Sequence, residues 1–440
     1  MASEGFRVYA EVYGCTANVA DGEIALGLFK EAGYEIVERP DEADLILLVT
    51  CTVKKPTSDR MLYRIKKLKS YGKKLIVAGC MASGEGEKVK RLEPRSILVH
   101  PRSIVRVVEA AENEVDLMEE DGRDKLGQPR VLKNRVVGIV PVSEGCRWSR
   151  CGFCIVPFTR GRFVSYPIDK IVEEASRLIS KGVKEIWLTS QDMGSYGIDH
   201  GRNLLPDLVR RIAMIDGDFW IRIGMMNPLY LRPILKELSE VYLNSKVYKF
   251  LHLPVQSGSD KILKLMNRGY TISTFIEILN YMRSKIGKLN LSTDIIVGYP
   301  GEDEEDFQKT LKMLEEVKPD SVNISKFYPR PNTPAEKLDQ LDRKIIEDRS
   351  RVITELVRNI AYKKNVEWVG WRGVALVDEI GEDGEPIARN ILYKPIVLRE
   401  ECGRLLLGRW VEVEIVDARP YCLIGRLERI IDKEGGDGRV

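Results

Sequence analysis

The chain has 440 residues, 44% of them hydrophobic and 31% charged, enough for about three domains that each build a core. No run of about 18 apolar residues occurs, and residues 1–7 carry charge where a secretory signal needs an apolar stretch, so a soluble, cytoplasmic protein with no membrane partner is expected. The net charge of +3 is too small to argue for a nucleic-acid partner, and basic runs such as Lys54-Lys55 read as solvated helix faces.

In chain order, residues 7–13 read as a strand, 21–33 as a helix, 43–50 as a strand, 57–71 as a helix and 74–79 as a strand. Apolar runs separated by helical periods predict a parallel α/β sheet. Cys15, Cys51 and Cys80 each follow the carboxyl end of one of these strands, where open α/β sheets collect ligands, so they are expected to converge. Small residues filling crowded strand ends would give the same pattern. Residues 114–134, charged and aperiodic, read as a linker or exposed connection.

Three more cysteines crowd into Glu144-Gly145-Cys146-Arg147-Trp148-Ser149-Arg150-Cys151-Gly152-Phe153-Cys154 with no partnering Cys or His pair nearby. Three thiolates cannot close a structural zinc site, which takes four protein ligands, whereas a 4Fe-4S cluster held by three cysteines keeps one iron open for a small molecule. Beyond this loop, strands are expected at 185–190, 220–224, 250–254, 290–298 and 321–325. About six βα units after the cysteine loop suggest an incomplete barrel with its site at the carboxyl ends of the strands. Residues 298–301 read as a turn before a capped helix starting near Asp303, and His252 as an internally hydrogen-bonded residue. From about 366 to 430 the pattern changes to short strands at 372–378, 395–398, 410–417 and 423–427, a small antiparallel barrel of a shape often used to hold RNA. Tyr393, Lys394, Arg399, Arg404, Arg409 and Tyr421 mix cations with aromatics as RNA surfaces do, and Cys402 and Cys422 read as structural or free thiols.

The pattern Cys-x4-Cys-x-Phe-Cys followed by Ile155-Val156-Pro157-Phe158-Thr159-Arg160-Gly161 resembles the cluster loop of radical S-adenosylmethionine (SAM) enzymes, with four residues between the first two cysteines where the family loop has three. Tyr13-Gly14-Cys15-Thr16-Ala17-Asn18, Thr50-Cys51-Thr52-Val53-Lys54 and Ala78-Gly79-Cys80-Met81 resemble the signature segments of the methylthiotransferases, as do 188–197, 252–259, 293–302 and 327–335 in the same order. The resemblance implies an α/β protein of three parts: an N-terminal parallel α/β sheet domain over 6–113, a radical-SAM partial (βα)6 barrel over 134–365, and a TRAM-like β domain over 366–430. It implies two 4Fe-4S clusters, one on Cys146, Cys151 and Cys154 that binds SAM and one on Cys15, Cys51 and Cys80 that holds the sulfur to be transferred. SAM contacts are expected from Phe153, Gln191, Ser195, Arg222 and Asp294.

The implied partners are tRNA, an electron donor and a sulfur source. Cys51 to Pro56 and residues 188–197 look most like the branch that methylthiolates C2 of N6-threonylcarbamoyladenosine at tRNA position 37, for which Arg222 or Lys54 would meet the threonyl carboxylate. Other branches act on prenylated adenosine or on a ribosomal protein aspartate. Two rivals stand beside this reading: an RNA-binding protein with structural zinc, and a radical-SAM enzyme that uses its extra cluster for electron transfer.

Overall fold

The computed structural model describes residues 5–120, 122, 124–399 and 403–431, and every count below refers to these. Strands β1 (Arg7–Val12), β2 (Glu35–Ile36), β3 (Leu45–Thr50), β4 (Lys74–Gly79) and β5 (Ile97–Val99) form a fully parallel sheet in the order β2-β1-β3-β4-β5. Every residue of β3 is buried, as an apolar run covered on both faces must be. Leu45, Leu47 and Val49 pack against Ala25 and Phe29 of α1 (Thr16–Glu31), while Ile46 and Leu48 pack against Met61 and Ile65 of α2 (Lys55–Lys69). Helices α3 (Cys80–Leu92) and α4 (Val107–Asn113) complete the two layers. Helix α1 begins at Thr16, ahead of the expected start at Asp21. Asp21 lies inside the helix, its carboxylate buried against Lys125 of the strap and Arg160 of the cysteine loop.

Of residues 114–134, 114–120 are exposed apart from Leu117, as expected, but 124–134 pack onto the sheet domain and are not an exposed connection. Leu117 adds a parallel bridge to Val99, Val131 N–H donates to Glu23 O at 3.0 Å, and Lys125 is 1% exposed. The strap runs so close over α1 that a Cβ on Gly27 would sit 2.2 Å from the Pro129 carbonyl oxygen.

The middle of the chain holds β6 (Val137–Pro141), the short hairpin strands β7 (Ser143–Glu144) and β8 (Val164–Ser165) flanking α5 (Val156–Thr159), and α6 (Ile168–Ser180). Then follow β9 (Glu185–Thr189), α7 (Leu205–Ala213), β10 (Trp220–Ile223), α8 (Leu235–Tyr242), β11 (Phe250–His252), α9 (Asp260–Leu265), α10 (Ile272–Ile286), β12 (Asn290–Val297), α11 (Glu304–Val317), β13 (Ser321–Lys326) and α12 (Arg343–Val366). The six parallel strands β6, β9, β10, β11, β12 and β13 form an open arc in two hydrogen-bonded triplets, β10-β9-β6 and β11-β12-β13. The triplets join where Met226 N–H donates to His252 O at 2.9 Å. One of these strands precedes the cysteine loop and five follow it, where about six were expected after the loop. Helix α11 starts with the expected cap, Asp303 accepting from Asp306 N–H at 2.9 Å.

The C-terminal strands β14 (Arg372–Ile380), β15 (Pro386–Asn390), β16 (Pro395–Leu398), β17 (Trp410–Ala418) and β18 (Leu423–Ile430) close a barrel in the order β14-β15-β16-β18-β17. It is antiparallel except between β16 and β18. Its β15–β16 turn plugs the amino ends of the large barrel's strands: Lys249 N–H donates to Ile391 O at 2.8 Å and the Asn290 amide to Leu392 O at 2.7 Å. Tyr393 (9% exposed) packs edge-on against Trp187 and Tyr248, and Lys394 is buried on Asp320 at 2.8 Å. These two residues therefore leave the expected RNA surface, because each finds a partner in the barrel. Arg399, Arg404, Arg409 and Tyr421 stay exposed, and Cys402 lies outside the described residues. No helix among the described residues is long and apolar enough to cross a membrane.

The same interface buries two carboxyl groups side by side. Glu185 accepts from Trp187 Nε1 at 2.7 Å and Asp378 from Arg389 Nε at 2.7 Å. Burial, and next the neighbouring Asp378 charge, push the Glu185 carboxyl up to about 8. A folded-state pKa above the unfolded one means that the folded protein holds the extra proton between about pH 4.5 and 8, so this group's contribution to stability falls as pH rises through that window. The difference in unfolding free energy between wild type and Glu185→Gln, followed by denaturant titration, should change in the variant's favour from pH 5 to pH 8; an unchanged difference would mean that the pair shares no proton.

Candidate cluster sites and barrel interior

The cysteine loop emerges from the carboxyl end of β6 and is pinned to the turn after α9. Trp148 Nε1 donates to Asn267 O at 2.6 Å, the Asn267 amide to Arg150 O at 3.0 Å, and Gly152 N–H to Met266 O at 2.9 Å. The Trp148 ring lies where a Cβ on Gly269 would be only 2.9 Å from it. The four-residue spacer is thus held as a defined turn, and the Trp148 carbonyl faces Cys146 Sγ at 3.6 Å and Cys151 Sγ at 4.0 Å. Arg268, buried, donates to Cys151 Sγ at 3.3 Å. Burial, followed by the Asp192 and neighbouring cysteine charges, pushes the Cys146 thiol up; burial and Cys151 push Cys154 up to about 12. Phe153 stacks edge-on with Tyr299 at 6.4 Å.

Cys15 caps α1, Cys51 follows β3 and Cys80 opens α3, and the three lie within electrostatic reach of one another. Asn18 ties their strand ends together, donating to Tyr13 O at 2.7 Å and Thr50 O at 2.9 Å while its Oδ1 sits 3.8 Å from Cys80 Sγ. Gly14 has φ +116, and a Cβ there would be 2.8 Å from Cys51 Cβ, so only glycine lets this turn approach. Burial pushes Cys51 up to about 12 and raises Cys80 as well.

Among the described residues no three His, Cys, Asp or Glu side chains close on a single metal ion. The donor chemistry fits a multi-iron cluster: each set is all thiol and three in number, and burial makes Cys51, Cys80, Cys146 and Cys154 costly to ionise until metal replaces the protons.

A buried ion cluster stands between the two thiol sets. Arg160 Nη1 reaches Asp21 Oδ2 at 2.9 Å and Glu144 Oε2 at 3.4 Å, Lys125 Nζ reaches both acids at 2.6 Å, and Arg160 Nη2 donates to Asn18 Oδ1. A second clamp joins Arg330, after β13, to Glu85 at 2.8 Å and to the Thr52 hydroxyl at 2.7 Å, next to Cys51. Glu85 sits at a kink of α3 and also accepts from the Ser58 hydroxyl at 2.5 Å.

The remaining expected contacts divide. Asp294, on β12, accepts from Asn323 at 2.7 Å and from His252 Nε2 at 3.3 Å, which gives His252 its internal partner. Exposed Lys54 lies within electrostatic range of Asp294. Arg222 is enclosed by Trp187, Phe250 and Tyr393 rings at 5.0–5.1 Å, with its Nε buried and unpartnered. Gln191 leaves its buried side-chain oxygen unpartnered, whereas Ser195 is fully buried and spends its hydroxyl on Asp192 O at 3.0 Å. Asp192 accepts from Gly194 and Asn227 N–H groups, and burial lifts its carboxyl to about 7. Asp192, Arg268 and Lys125 were not singled out by sequence reasoning.

The radical SAM superfamily pattern matches residues 140–314, and the pattern described as Uncharacterized protein family UPF0004 matches 7–100. "Probable threonylcarbamoyladenosine tRNA methylthiotransferase" of Pyrococcus abyssi is 42% identical over 400 residues, 89% of this chain and 93% of that protein. The protein of the same description from Methanocaldococcus jannaschii is 41% identical over 428 residues, covering 96% and 97%. The human "Threonylcarbamoyladenosine tRNA methylthiotransferase" is 34% identical over 439 residues, covering 96% of this chain and 74% of its own. Among solved structures, the radical SAM methyltransferase TsrM from Kitasatospora setae superposes with a TM-score of 0.57 at 13% identity, covering 76% of this chain and 77% of that one, a likeness of fold. Two thiol sets at the mouths of two parallel sheets, and relatives aligned along nearly the whole length, place this chain in the radical-SAM methylthiotransferase family, in its threonylcarbamoyladenosine tRNA methylthiotransferase branch.

Proposed function

We propose that the protein methylthiolates C2 of N6-threonylcarbamoyladenosine at position 37 of tRNA, with SAM serving as both radical source and methyl donor. One arrangement carries this reading: the segment that leaves Cys154 packs directly on the helix that begins with Cys80. A Cβ on Gly84 of α3 would be 2.7 Å from the Thr159 methyl. The bound clusters supply the electron that cleaves SAM and the seat for the transferred sulfur, chemistry no side chain performs. Cys146, Cys151 and Cys154 would hold the first cluster and Cys15, Cys51 and Cys80 the second.

In this reading 6–113 seats the sulfur, 134–365 seats SAM and 366–430 holds tRNA. Phe153, Gln191 and Asp294 serve the SAM side: the Phe153 backbone would meet the adenine, and Asp294, held by His252 and Asn323, offers a fixed acceptor, whereas Arg222, over the rings of the C-terminal plug, and Ser195, with its hydroxyl on Asp192 O, hold the barrel. Lys54 would meet the threonyl carboxylate; its exposure and its electrostatic range of the barrel acid Asp294 support this. An external reductant and sulfur donor complete the reaction, in the cytoplasm where the substrate is.

Three measurements test this. Anaerobically reconstituted protein should carry about eight irons, and the Cys15→Ala/Cys51→Ala/Cys80→Ala variant about four while still cleaving SAM; loss of all iron in the variant would refute the division between the sets. Transcripts with the threonylcarbamoyl group should react at least about a hundredfold faster than those without, about 2.7 kcal/mol, because polar groups left unpaired cost about 1–3 kcal/mol each; equal turnover would assign another substrate. The Arg399→Ala/Arg404→Ala/Tyr421→Ala variant should bind tRNA more weakly and with a shallower salt dependence, leaving tRNA-independent SAM cleavage unchanged; unaltered tRNA binding would remove the C-terminal barrel from the RNA interface.

A further inference from the structure

The ion cluster of Asp21, Lys125, Glu144 and Arg160 is nearly sealed from water, and the proposed chemistry uses none of its members. Asp21 and Glu144 are each bridged by both cations, so the cluster balances two acids against two bases. Arg160 differs from the other three because it also faces sulfur. Its Nη2 donates to the Asn18 oxygen that lies 3.8 Å from Cys80 Sγ, and its charge bears on Cys15, Cys51 and Cys80 alike. The chain brings it there within six residues of Cys154, through Ile155 and Thr159 seated on Gly84.

We propose that Arg160 sets the reduction potential of the cluster on Cys15, Cys51 and Cys80, acting as a positioned, buried guanidinium beside Cys80 that is delivered by the loop of the other cluster and is nearer the sulfur than the carboxylates that balance its charge. The proposal rests on the reading of those three cysteines as cluster ligands. Its physics is simple: a reduced cluster carries one more negative charge than an oxidised one, so a nearby cation in a dry interior favours reduction, and cluster potentials follow local charge and hydrogen bonds to sulfur. Asp21 acts with the opposite sign from the same cluster. Movement of the 155–160 segment would change the charge felt at Cys80.

The test uses full-length Cys146→Ala/Cys151→Ala/Cys154→Ala protein, so that one cluster is read alone, by anaerobic redox titration with electron paramagnetic resonance. About four irons in this background supports the ligand assignment; no iron overturns that assignment, which is a different failure from the one tested next. Adding Arg160→Gln together with Glu144→Gln keeps the buried charges balanced while removing the guanidinium. The one-electron equilibrium should then shift at least tenfold toward the oxidised form, about 59 mV downward. Asp21→Asn should shift the potential upward, and Arg160→Lys should stay near the starting value. Asp21→Asn decides the matter if the double variant loads no iron. Potentials unchanged in either loaded variant would overturn the proposal and leave Arg160 a merely structural residue.

Discussion

The architecture depends on satisfying four buried charges at once. Asp21 comes from the first helix of the N-terminal sheet, Lys125 from the strap, and Glu144 and Arg160 from the two sides of the cysteine loop. Each would be costly in a dry interior without its partners, and removing one partner of such a pair typically costs about 3–5 kcal/mol because a charge is left uncompensated. The four are satisfied together only when sheet, strap and loop are in register. This constraint adds little net stability, since ion pairs repay their desolvation poorly, but it selects one arrangement among many. The Arg330, Glu85 and Thr52 clamp does the same on the far side of Cys51.

That register seats the segment after Cys154 on the helix that begins with Cys80. Both thiol sets arise where parallel strands end and loops begin, the place where an open α/β arrangement leaves backbone free to meet a ligand. In the N-terminal sheet Asn18 laces the ends of β1 and β3 to Cys80, and in the barrel Trp148, Asn267 and Arg268 fix the loop from the neighbouring turn. Rigid backbone thus replaces any need for the thiols to search for geometry.

At the opposite, amino end of the barrel the C-terminal strands serve as a stopper. Tyr393, held at φ 60, enters an aromatic group with Trp187, Tyr248 and Phe250, and Arg222 lies over three of these rings. The same small barrel turns Arg399, Arg404 and Tyr421 outward. One module therefore seals the barrel with one turn and leaves another face for a partner, which explains why its mixed cations and aromatics split between inside and outside.

The strands at 74–79 and 395–398 were readable residue for residue, and so was the position of all six loop-end cysteines after strands or in one tight run. Alternation, apolar runs and turn residues are local properties, and strand ends follow from them. Charged residues behave differently. By default they are assigned to the surface, because burial is expensive unless a partner is present. For Asp21, whose partners Lys125 and Arg160 lie 104 and 139 residues away, no local pattern distinguishes a helix cap from a buried ligand of two cations. The strap at 124–134, Tyr393 and Lys394 were misplaced for the same reason, each being drawn inside by a group remote in sequence. The sequence by itself determined which chemistry the chain carries, since that resides in residue types at strand ends; the tertiary structure decided which charges face the sulfur, because only folding brings distant partners close enough to offset the loss of water.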